Sequence, residues 1–210
     1  MAFLLPPIYP ITDKRLAGKR NHLAIVRELV RGGAVLVQVR DKETPAAELL
    51  TDLRRCAEYC DKHGVLLLVN DRCDLALSSG AGGVHLGQDD MPPAAARAIL
   101  PRNRIIGLST HTPAQVRRAG TLPVDYIGFG PVYSTTTKAK TSPVVGIRGL
   151  QRACALSRRP VVAIGGIGQE QIGEVLRAGA ASAAVISALM RADKLARKMQ
   201  ELLEAARVRQ

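Results

Sequence analysis

The stretch that decides the fold is residues 65–90, VLLLVNDRCDLALSSGAGGVHLGQDD. An apolar run, Val65–Val69, leads into a helical segment that ends at Gly80, and a second apolar run, Gly83–Leu86, follows at once. Both runs are nearly continuous rather than alternating, which is typical of parallel strands covered by helices. A glycine at a helix end readily takes the left-handed conformation that terminates the helix. The stretch therefore predicts a strand–helix–strand unit.

The same unit recurs along the whole chain. Six further apolar runs alternate with stretches of helical period, and these runs are Ile8–Ile11, Val35–Val39, Arg104–Leu108, Asp125–Phe129, Val161–Ile164 and Ser182–Ile186. Eight units averaging about 26 residues suit a closed barrel better than an open doubly wound sheet. We therefore predict an α/β fold, a single-domain (β/α)8 TIM barrel with parallel strands. The domain would span residues 1–210, with the barrel proper at about 8–206.

The start of one helix and the extent of another are also predicted. Thr44 is expected to be an N-cap, with Pro45 in the first turn of the helix that follows. The final segment, Ala188–Arg207, has apolar residues at helical spacing with charges between them, and it is expected to be an amphipathic helix.

Composition and charge narrow the function. Thirty Lys and Arg against eighteen Asp and Glu give a net charge of +12, and hydrophobic residues make up 47% of the chain. That apolar content excludes a disordered chain. The charge favours anionic partners, but aromatic residues make up only 3%, and single-stranded nucleic acid is usually bound by stacking on aromatic rings. The basic residues are interpreted as scattered over many helices, so a phosphorylated small molecule is favoured and no nucleic-acid partner is predicted.

Cysteine usage and hydropathy indicate the compartment. Four cysteines, Cys56, Cys60, Cys73 and Cys154, lack the paired spacing of a metal finger and are expected to be reduced thiols in the core. No run approaches the roughly 18 apolar residues of a membrane-spanning helix. The apolar stretch at residues 1–8 is too short for the core of a signal peptide. A cytoplasmic protein without a membrane partner is predicted, and the choice between monomer and homodimer is left open.

Polar residues follow the predicted second strand. In barrels of this class, functional side chains lie at the carboxyl ends of the strands. Gln38, Arg40 and Lys42 alternate along the chain, which directs all three side chains to one side while strand geometry lasts. An amide, a guanidinium and an ammonium at one place suit a diphosphate and a hydrogen-bonding ring. Taken alone, the triplet is equally compatible with a solvated strand end.

Two aspartates follow the next strands. Asn70-Asp71 comes after the third predicted strand, and Asp90 lies in the loop after the fourth. Carboxylates at adjacent strand ends can share Mg²⁺, which also takes water and substrate phosphate oxygens. The alternative for either aspartate is a helix N-cap. His85, one residue inside the fourth strand, is interpreted as a structural histidine.

The remaining candidates suit phosphate groups. Ser109 ends the fifth strand, and a loop after the sixth contains Thr135, Thr137 and Lys138. Gly165-Gly166 follows the seventh strand, and Ile186-Ser187 opens a predicted helix after the eighth, where such barrels often bind phosphate. The threonine loop is also consistent with an ordinary flexible loop, and a lone Gly-Gly with a tight turn.

Together these residues resemble the thiamine phosphate synthase family over about residues 8–188. The matching motifs, in order, are Tyr9-x-Ile11-Thr12-Asp13, Gln38-x-Arg40-x-Lys42, Asn70-Asp71, Val84-His85-Leu86-Gly87-Gln88-x-Asp90, Gly130-Pro131 with Thr135-x-Thr137-Lys138, and Ala163-Ile164-Gly165-Gly166-Ile167. The sequence departs at Ser134, where the family commonly has Pro, and in the insert at 139–145.

The resemblance implies an enzyme that joins 4-amino-2-methyl-5-(diphosphooxymethyl)pyrimidine to 4-methyl-5-(2-phosphoethyl)thiazole or its carboxylated form, with Mg²⁺ assisting departure of diphosphate. It also implies roles for matching positions. The residues implied to bind the pyrimidine diphosphate are Gln38, Arg40, Lys42, Asn70, Ser109 and Lys138. The residues implied to bind Mg²⁺ are Asp71 and Asp90. The residues implied to bind the thiazole phosphate are Thr135, Thr137, Gly166, Ile186 and Ser187. Leaving-group stabilisation falls to Arg40, Lys42 and Lys138, and no residue is assigned as an acid or base.

Three alternatives remain. A thiazole tautomerase of the same barrel family would use a histidine in the loop after the fifth strand, here His111. The intact Asn70-Asp71 and Gln88-x-Asp90 motifs favour the synthase. A non-catalytic phosphate-ligand binder would not need the two aspartates, and a nucleic-acid module would require clustered basic residues with aromatics.

Overall fold

The computed structural model describes residues 4–18, 20–135 and 143–207. Eight parallel strands form one sheet in the order β1-β8-β7-β6-β5-β4-β3-β2. The strands are β1 Ile8–Pro10, β2 Leu36–Val39, β3 Leu66–Asn70, β4 Gly83–Leu86, β5 Ile105–Thr110, β6 Tyr126–Phe129, β7 Val161–Ala163 and β8 Ser182–Val185. A parallel bridge between Ile11 and Gln38 joins the two ends of the sheet. The predicted parallel (β/α)8 barrel is confirmed.

Helices alternate with the strands and cover the barrel. They are α1 His22–Arg31, α2 Ala46–Lys62, α3 Cys73–Ser79, α4 Pro93–Ile99, α5 Pro113–Ala119, α6 Gly146–Leu156, α7 Gln169–Arg177, α8 Ser187–Met190 and α9 Leu195–Arg207. Each predicted apolar run overlaps a strand, and the ends of run and strand differ by no more than two residues. Among the described residues, no helix has the length and apolar character needed to cross a bilayer.

The expected continuous C-terminal helix is wrong. The chain forms the short helix α8, a turn at 191–194, and then α9. The Arg20 guanidinium donates to the Ala192 carbonyl at 3.3 Å and to the Asp193 carbonyl at 2.7 Å. These bonds satisfy backbone oxygens that the break in the helix leaves without helical partners.

Thr44 is not the N-cap of α2. The cap position is Pro45, which has no side-chain cap bond, and the Thr44 hydroxyl instead donates to Asp41 Oδ2 at 2.7 Å. Asp41 also accepts from the Thr44 and Glu43 backbone N–H groups, at 2.9 and 2.8 Å, and contacts buried His22 Nε2 at 2.9 Å. Asp41 therefore organises the loop between β2 and α2.

The core has two parts, one inside the barrel and one between the strands and the helices. The interior part includes Tyr9, Leu36, Leu68, Tyr126 and Val162. The outer part packs the apolar faces of the helices against the sheet, and burial of these side chains is the main stabilising contribution. The predicted free thiols are confirmed, with Cys154 half-buried and the other three buried.

The net positive charge is highest in one segment because acidic residues are rare there, not because basic residues cluster. Residues 91–169 contain eleven Lys and Arg but a single acidic residue, Asp125. Within this segment, three pairs of arginines lie in αβ loops or in the last turn before one; they are Arg102 and Arg104, Arg117 and Arg118, and Arg158 and Arg159. These places lie at the amino-terminal ends of β5, β6 and β7, opposite the carboxyl ends where barrel active sites form.

Candidate functional site

A cavity of about 560 Å³ lies at the carboxyl ends of the strands. Its lining includes seven of the residues predicted for the first substrate and the metal, namely Gln38, Arg40, Lys42, Asn70, Asp71, Asp90 and Ser109. They come from β2, β3, β4 and β5 or the loops that follow, because parallel strands end at the same rim. The structure therefore brings these predicted residues together in one place, which we call the first pocket.

Arg40 is held by an internal ion pair. Its side chain is 8% exposed, and Nη1 lies 3.2 Å from Oδ2 of Asp13, which is 2% exposed. The Arg40 backbone N–H donates to Thr12 Oγ1 at 3.1 Å, and Arg15 also contacts Asp13, at 3.2 Å. A buried guanidinium with a fixed carboxylate partner is oriented in advance, which lowers the entropy cost of binding an anion.

Lys42 and Asp71 pair across the mouth of the pocket. Lys42 Nζ lies 3.0 Å from Asp71 Oδ2, and the lysine side chain is 57% exposed. Asp71 has φ of 65°, a conformation that is uncommon for a residue other than glycine. Its backbone N–H donates to the His85 carbonyl at 2.8 Å, and helix α3 is capped at Arg72. Asp71 is therefore not the N-cap of α3, and its carboxylate is directed by an unusual backbone.

Asp90 lies beside Asp71. Burial raises the pKa of Asp90, and hydrogen bonding and repulsion from the Asp71 carboxylate raise it further, while the Gly87 N–H and Lys42 act in the opposite direction. The Gly87 N–H donates to Asp90 Oδ2 at 2.6 Å. A cation shared by the two carboxylates would relieve the repulsion that Asp71 exerts on Asp90.

Only part of a metal coordination sphere comes from these side chains. Within the described ranges, no three His, Cys, Asp or Glu side chains cluster in a way that would hold a metal ion. Two carboxylates are nevertheless compatible with Mg²⁺, because this ion keeps several waters and takes oxygens from substrate phosphates. The donor set is therefore compatible with Mg²⁺ in the presence of a phosphorylated ligand.

A second pocket, with a volume of about 630 Å³, follows β7 and β8. Thr135, Gly166 and Ser187 line it, and Ile186 lines the first pocket. The two pockets therefore adjoin at consecutive residues. Arg191 and Lys198 also line the second pocket and add positive charge that the sequence reasoning did not assign to the site.

Gly166 is required where two loops approach closely. Its φ is +65°, and an added Cβ would lie 2.4 Å from the Ser134 carbonyl oxygen and 2.7 Å from Tyr133 Cβ. Only glycine allows the loop after β7 to lie against the loop after β6. The predicted Thr137 and Lys138 lie outside the described residues.

Several residues without a predicted role in binding also line the first pocket, and Tyr9, Arg15, His85 and His111 are among them. His85 has the hydrogen-bond partners expected of a structural histidine, yet it also lines the first pocket. His111 Nδ1 donates to the Gly130 carbonyl at 2.6 Å. Burial raises the pKa values of the Tyr9 and Tyr126 hydroxyls, which therefore keep their protons.

Fold and site together define a (β/α)8-barrel enzyme whose pocket lies at the carboxyl ends of the strands. The sequence matches the family described as thiamine monophosphate synthase over residues 8–189. The chain belongs to this family.

Individual relatives agree with this assignment. Thiamine-phosphate synthase of Methanospirillum hungatei is 44% identical over 202 residues, which cover 93% of this chain and 97% of the relative. The thiamine biosynthetic bifunctional enzyme TH1 of Arabidopsis thaliana is 40% identical over 208 residues, and the match covers 95% of this chain but only 40% of that protein. The structure of thiamine phosphate pyrophosphorylase from Pyrococcus furiosus superposes with a TM-score of 0.87 at 36% identity, covering 96% of this chain and 95% of the other.

Proposed function

We propose that this protein is a thiamine phosphate synthase that acts in thiamine biosynthesis. It would join 4-amino-2-methyl-5-(diphosphooxymethyl)pyrimidine to 4-methyl-5-(2-phosphoethyl)thiazole and release diphosphate; with the carboxylated form of the thiazole, carbon dioxide would leave as well. The observation that carries the proposal is the pair of adjoining pockets, one lined by cations and two carboxylates, the other by Gly166 and Ser187.

The first pocket would hold the pyrimidine diphosphate. Arg40 and Lys42 supply positive charge for the diphosphate, and Gln38, Asn70 and Ser109 supply hydrogen bonds. Lys138 is proposed as a further diphosphate ligand from the sequence motif alone. These groups favour the reaction because negative charge grows on the diphosphate as its bond to the pyrimidine methylene breaks.

Asp71 and Asp90 would hold Mg²⁺. When bound, the ion would supply charge neutralisation for the departing diphosphate. The repulsion that Asp71 exerts on the Asp90 carboxylate, and the position of Asp71 beside Lys42, support this assignment.

The second pocket would hold the thiazole phosphate. Gly166 permits close approach of an anion to the backbone, and Thr135 and Ser187 offer hydroxyl groups. Thr137 and Ile186 are added as phosphate ligands from the family resemblance, and Ile186 also lines the first pocket. The thiazole nitrogen attacks the methylene carbon with its own lone pair, so the new carbon–nitrogen bond forms without removal of a proton.

The decisive assay supplies both phosphorylated substrates with Mg²⁺ and follows the products by chromatography. Thiamine phosphate and diphosphate are expected only when both substrates and Mg²⁺ are present, and a chelator should stop their formation. A tautomerase would instead isomerise the thiazole phosphate without forming thiamine phosphate. A phosphate-binding protein without activity would bind the substrates and leave them unchanged.

A further inference from the structure

Five side chains form a continuous line of hydrogen bonds across the interior of the barrel. Gln38 Nε2 lies 2.8 Å from the Tyr9 hydroxyl, which lies 2.6 Å from the Tyr126 hydroxyl. The Tyr126 hydroxyl lies 2.8 Å from His85 Nδ1, and His85 Nε2 lies 2.9 Å from Ser109 Oγ. We call this line the interior chain. It links five strands, and both of its ends, Gln38 and Ser109, line the first pocket.

Two glycines make room for the interior chain. A Cβ on Gly107 would lie 2.2 Å from Tyr126 Cζ, and a Cβ on Gly128 would lie 3.3 Å from His85 Cε1. Gly107 pairs in register with both His85 and Tyr126 on the neighbouring strands. Neither glycine has a positive φ, so the missing side chain, rather than backbone freedom, is what these positions provide.

The chemistry of the end groups gives the interior chain a direction. An amide nitrogen only donates, so the Tyr9 oxygen accepts from Gln38. Within the described ranges, the other polar contact of the buried Tyr9 hydroxyl is Tyr126, so Tyr9 donates its single proton there. The Tyr126 oxygen then accepts from Tyr9, and His85 Nδ1, 2.8 Å away, is placed to accept the Tyr126 proton. The imidazole proton is then on Nε2 and is donated to Ser109 Oγ.

The opposite direction leaves a buried proton without an acceptor. If Tyr126 donated to Tyr9, the Tyr9 oxygen would accept twice, and its own proton would have no acceptor among the described residues. Tyr9 is 1% exposed, so water could not easily replace the missing acceptor. A buried hydroxyl proton without a partner is costly, which favours the first direction.

We propose that the interior chain fixes the proton of His85 on Nε2 and thereby directs the Ser109 hydroxyl proton into the first pocket. Ser109 Oγ accepts from the imidazole, so its own proton is available to an anionic oxygen of the diphosphate substrate. Tyr9 and Tyr126 are positioning residues that act through His85. The assignment of the anion rests on the proposed function, whereas the direction of the interior chain does not.

The direction can be measured without any assay of activity. Protein labelled with ¹⁵N-histidine distinguishes the two imidazole nitrogens by their chemical shifts, and the His85 signals are identified by their loss in His85→Asn. We expect the substrate-free protein to have the proton on Nε2 and none on Nδ1. In Tyr126→Phe, a signal from protonated Nδ1 should appear. A protonated Nδ1 in the unsubstituted protein would overturn the proposal.

A double-substitution cycle tests the effect on Ser109. Ser109→Ala and Tyr126→Phe should each lower kcat/KM for the pyrimidine substrate about 10- to 100-fold, the value of a hydrogen bond to a charged group. The double variant should be no worse than Ser109→Ala alone, because both changes remove the same donor. Independent effects that multiply would overturn the proposal.

Two further variants keep the cycle interpretable. Tyr9→Phe removes the hydroxyl that directs Tyr126, and this variant replaces Tyr126→Phe in the cycle if the latter does not fold. The effect of Tyr9→Phe on kcat/KM should also disappear when Ser109 is alanine. Tyr59→Phe is the control, since Tyr59 stacks on His63, with a centroid separation of 4.1 Å, on the outer helix α2. It should leave kcat/KM unchanged. If the unsubstituted protein forms no thiamine phosphate, the proposed function fails, and the ¹⁵N measurement still decides the direction of the interior chain.

Discussion

The Lys42 ammonium lies 3.0 Å from a carboxylate oxygen of Asp71, so a proposed diphosphate ligand and a proposed Mg²⁺ ligand neutralise each other in the structure. Binding of Mg²⁺ and of the diphosphate would each supply a new partner for one member of the pair. If only one ligand binds, the other member of the Lys42–Asp71 pair loses its partner. We therefore expect Mg²⁺ and the diphosphate to bind more tightly together than separately.

Replacement of the carboxylates should therefore abolish Mg²⁺-dependent turnover. Asp71→Asn and Asp90→Asn are expected to lower kcat about 100-fold or more, since the ion contributes several kcal/mol of charge stabilisation. Initial rates measured across a Mg²⁺ titration check this. Asp74→Asn is the control, because Asp74 is exposed and paired with Arg72 on α3. Full activity of Asp71→Asn would remove the metal site from the account.

Loss of Asp13 should destabilise the fold as well as the site. Asp13→Asn leaves the buried Arg40 guanidinium without its carboxylate, and removing one partner of a buried pair costs about 3–5 kcal/mol. Urea unfolding measures this change. Glu43→Gln removes the other carboxylate that contacts Arg15, but this pair is exposed, so a change of about 1 kcal/mol or less is expected. Equal effects would show that burial of the Asp13–Arg40 pair is unimportant.

Substitution of Gly166 should lower activity by more than backbone strain alone explains, because the loop after β6 lies against this residue. Gly64 has the same φ of +65°, but nothing lies within 4 Å of the position its Cβ would take. Gly64→Ala should cost about 1–2 kcal/mol of stability and leave kcat unchanged. Gly166→Ala should also displace the loop after β6 and lower kcat/KM about 100-fold. Steady-state kinetics and unfolding are measured for both variants. Equal kcat/KM values for Gly64→Ala and Gly166→Ala would contradict the predicted role of Gly166.

Stability should decrease in acid through Asp41. Burial tends to raise the pKa of this carboxyl, but hydrogen bonds from Thr44, Glu43 and His22 outweigh burial and hold the pKa well below its usual range. A depressed pKa in the folded state stabilises the protein above the unfolded value of about 4, and this contribution is lost as the pH falls toward the folded value. The stability difference between the unsubstituted protein and Asp41→Asn should therefore shrink below about pH 4.

Unfolding measured across this pH range tests the contribution of Asp41. Asp61→Asn changes an exposed residue of α2 and should show no comparable pH-dependent difference. A constant difference between the unsubstituted protein and Asp41→Asn down to pH 2 would contradict the prediction.

The strands were predictable because the signal is local. Buried parallel strands need continuous apolar runs such as Val65–Val69, and glycines such as Gly80 mark where helices end. The rim residues were predictable for the same reason, since a polar residue directly after a strand lies at the barrel mouth. The break after α8 was missed because it is stabilised by Arg20, a residue more than 170 positions away.

Pairing inside the barrel could not be read from the sequence. Tyr9 and Tyr126 are separated by 117 positions, and their contact depends on which strands face each other across the interior. Gly107 and Gly128 are a usable signal, because glycine in the middle of a strand indicates close approach of another group. The Asp13–Arg40 pair was likewise hidden, since both residues look like exposed charges at strand ends.

Much of the net charge of +12 lies away from the pockets. Arginines before β5 and β7 and at the end of α5 lie opposite the pocket, so they are poorly placed to attract phosphorylated substrates to its mouth. The salt dependence of the rate should therefore come from the cations that line the pockets. Neutralising Arg158 and Arg159 together should leave kcat/KM within about twofold, because charges beyond a Debye length are largely screened.

Product stoichiometry is the sharpest test of whether the two pockets hold the two substrates of one coupling reaction. With both substrates and Mg²⁺, the protein should form thiamine phosphate and diphosphate in equal amounts. Release of diphosphate without thiamine phosphate, or conversion of the thiazole phosphate alone, would contradict the account.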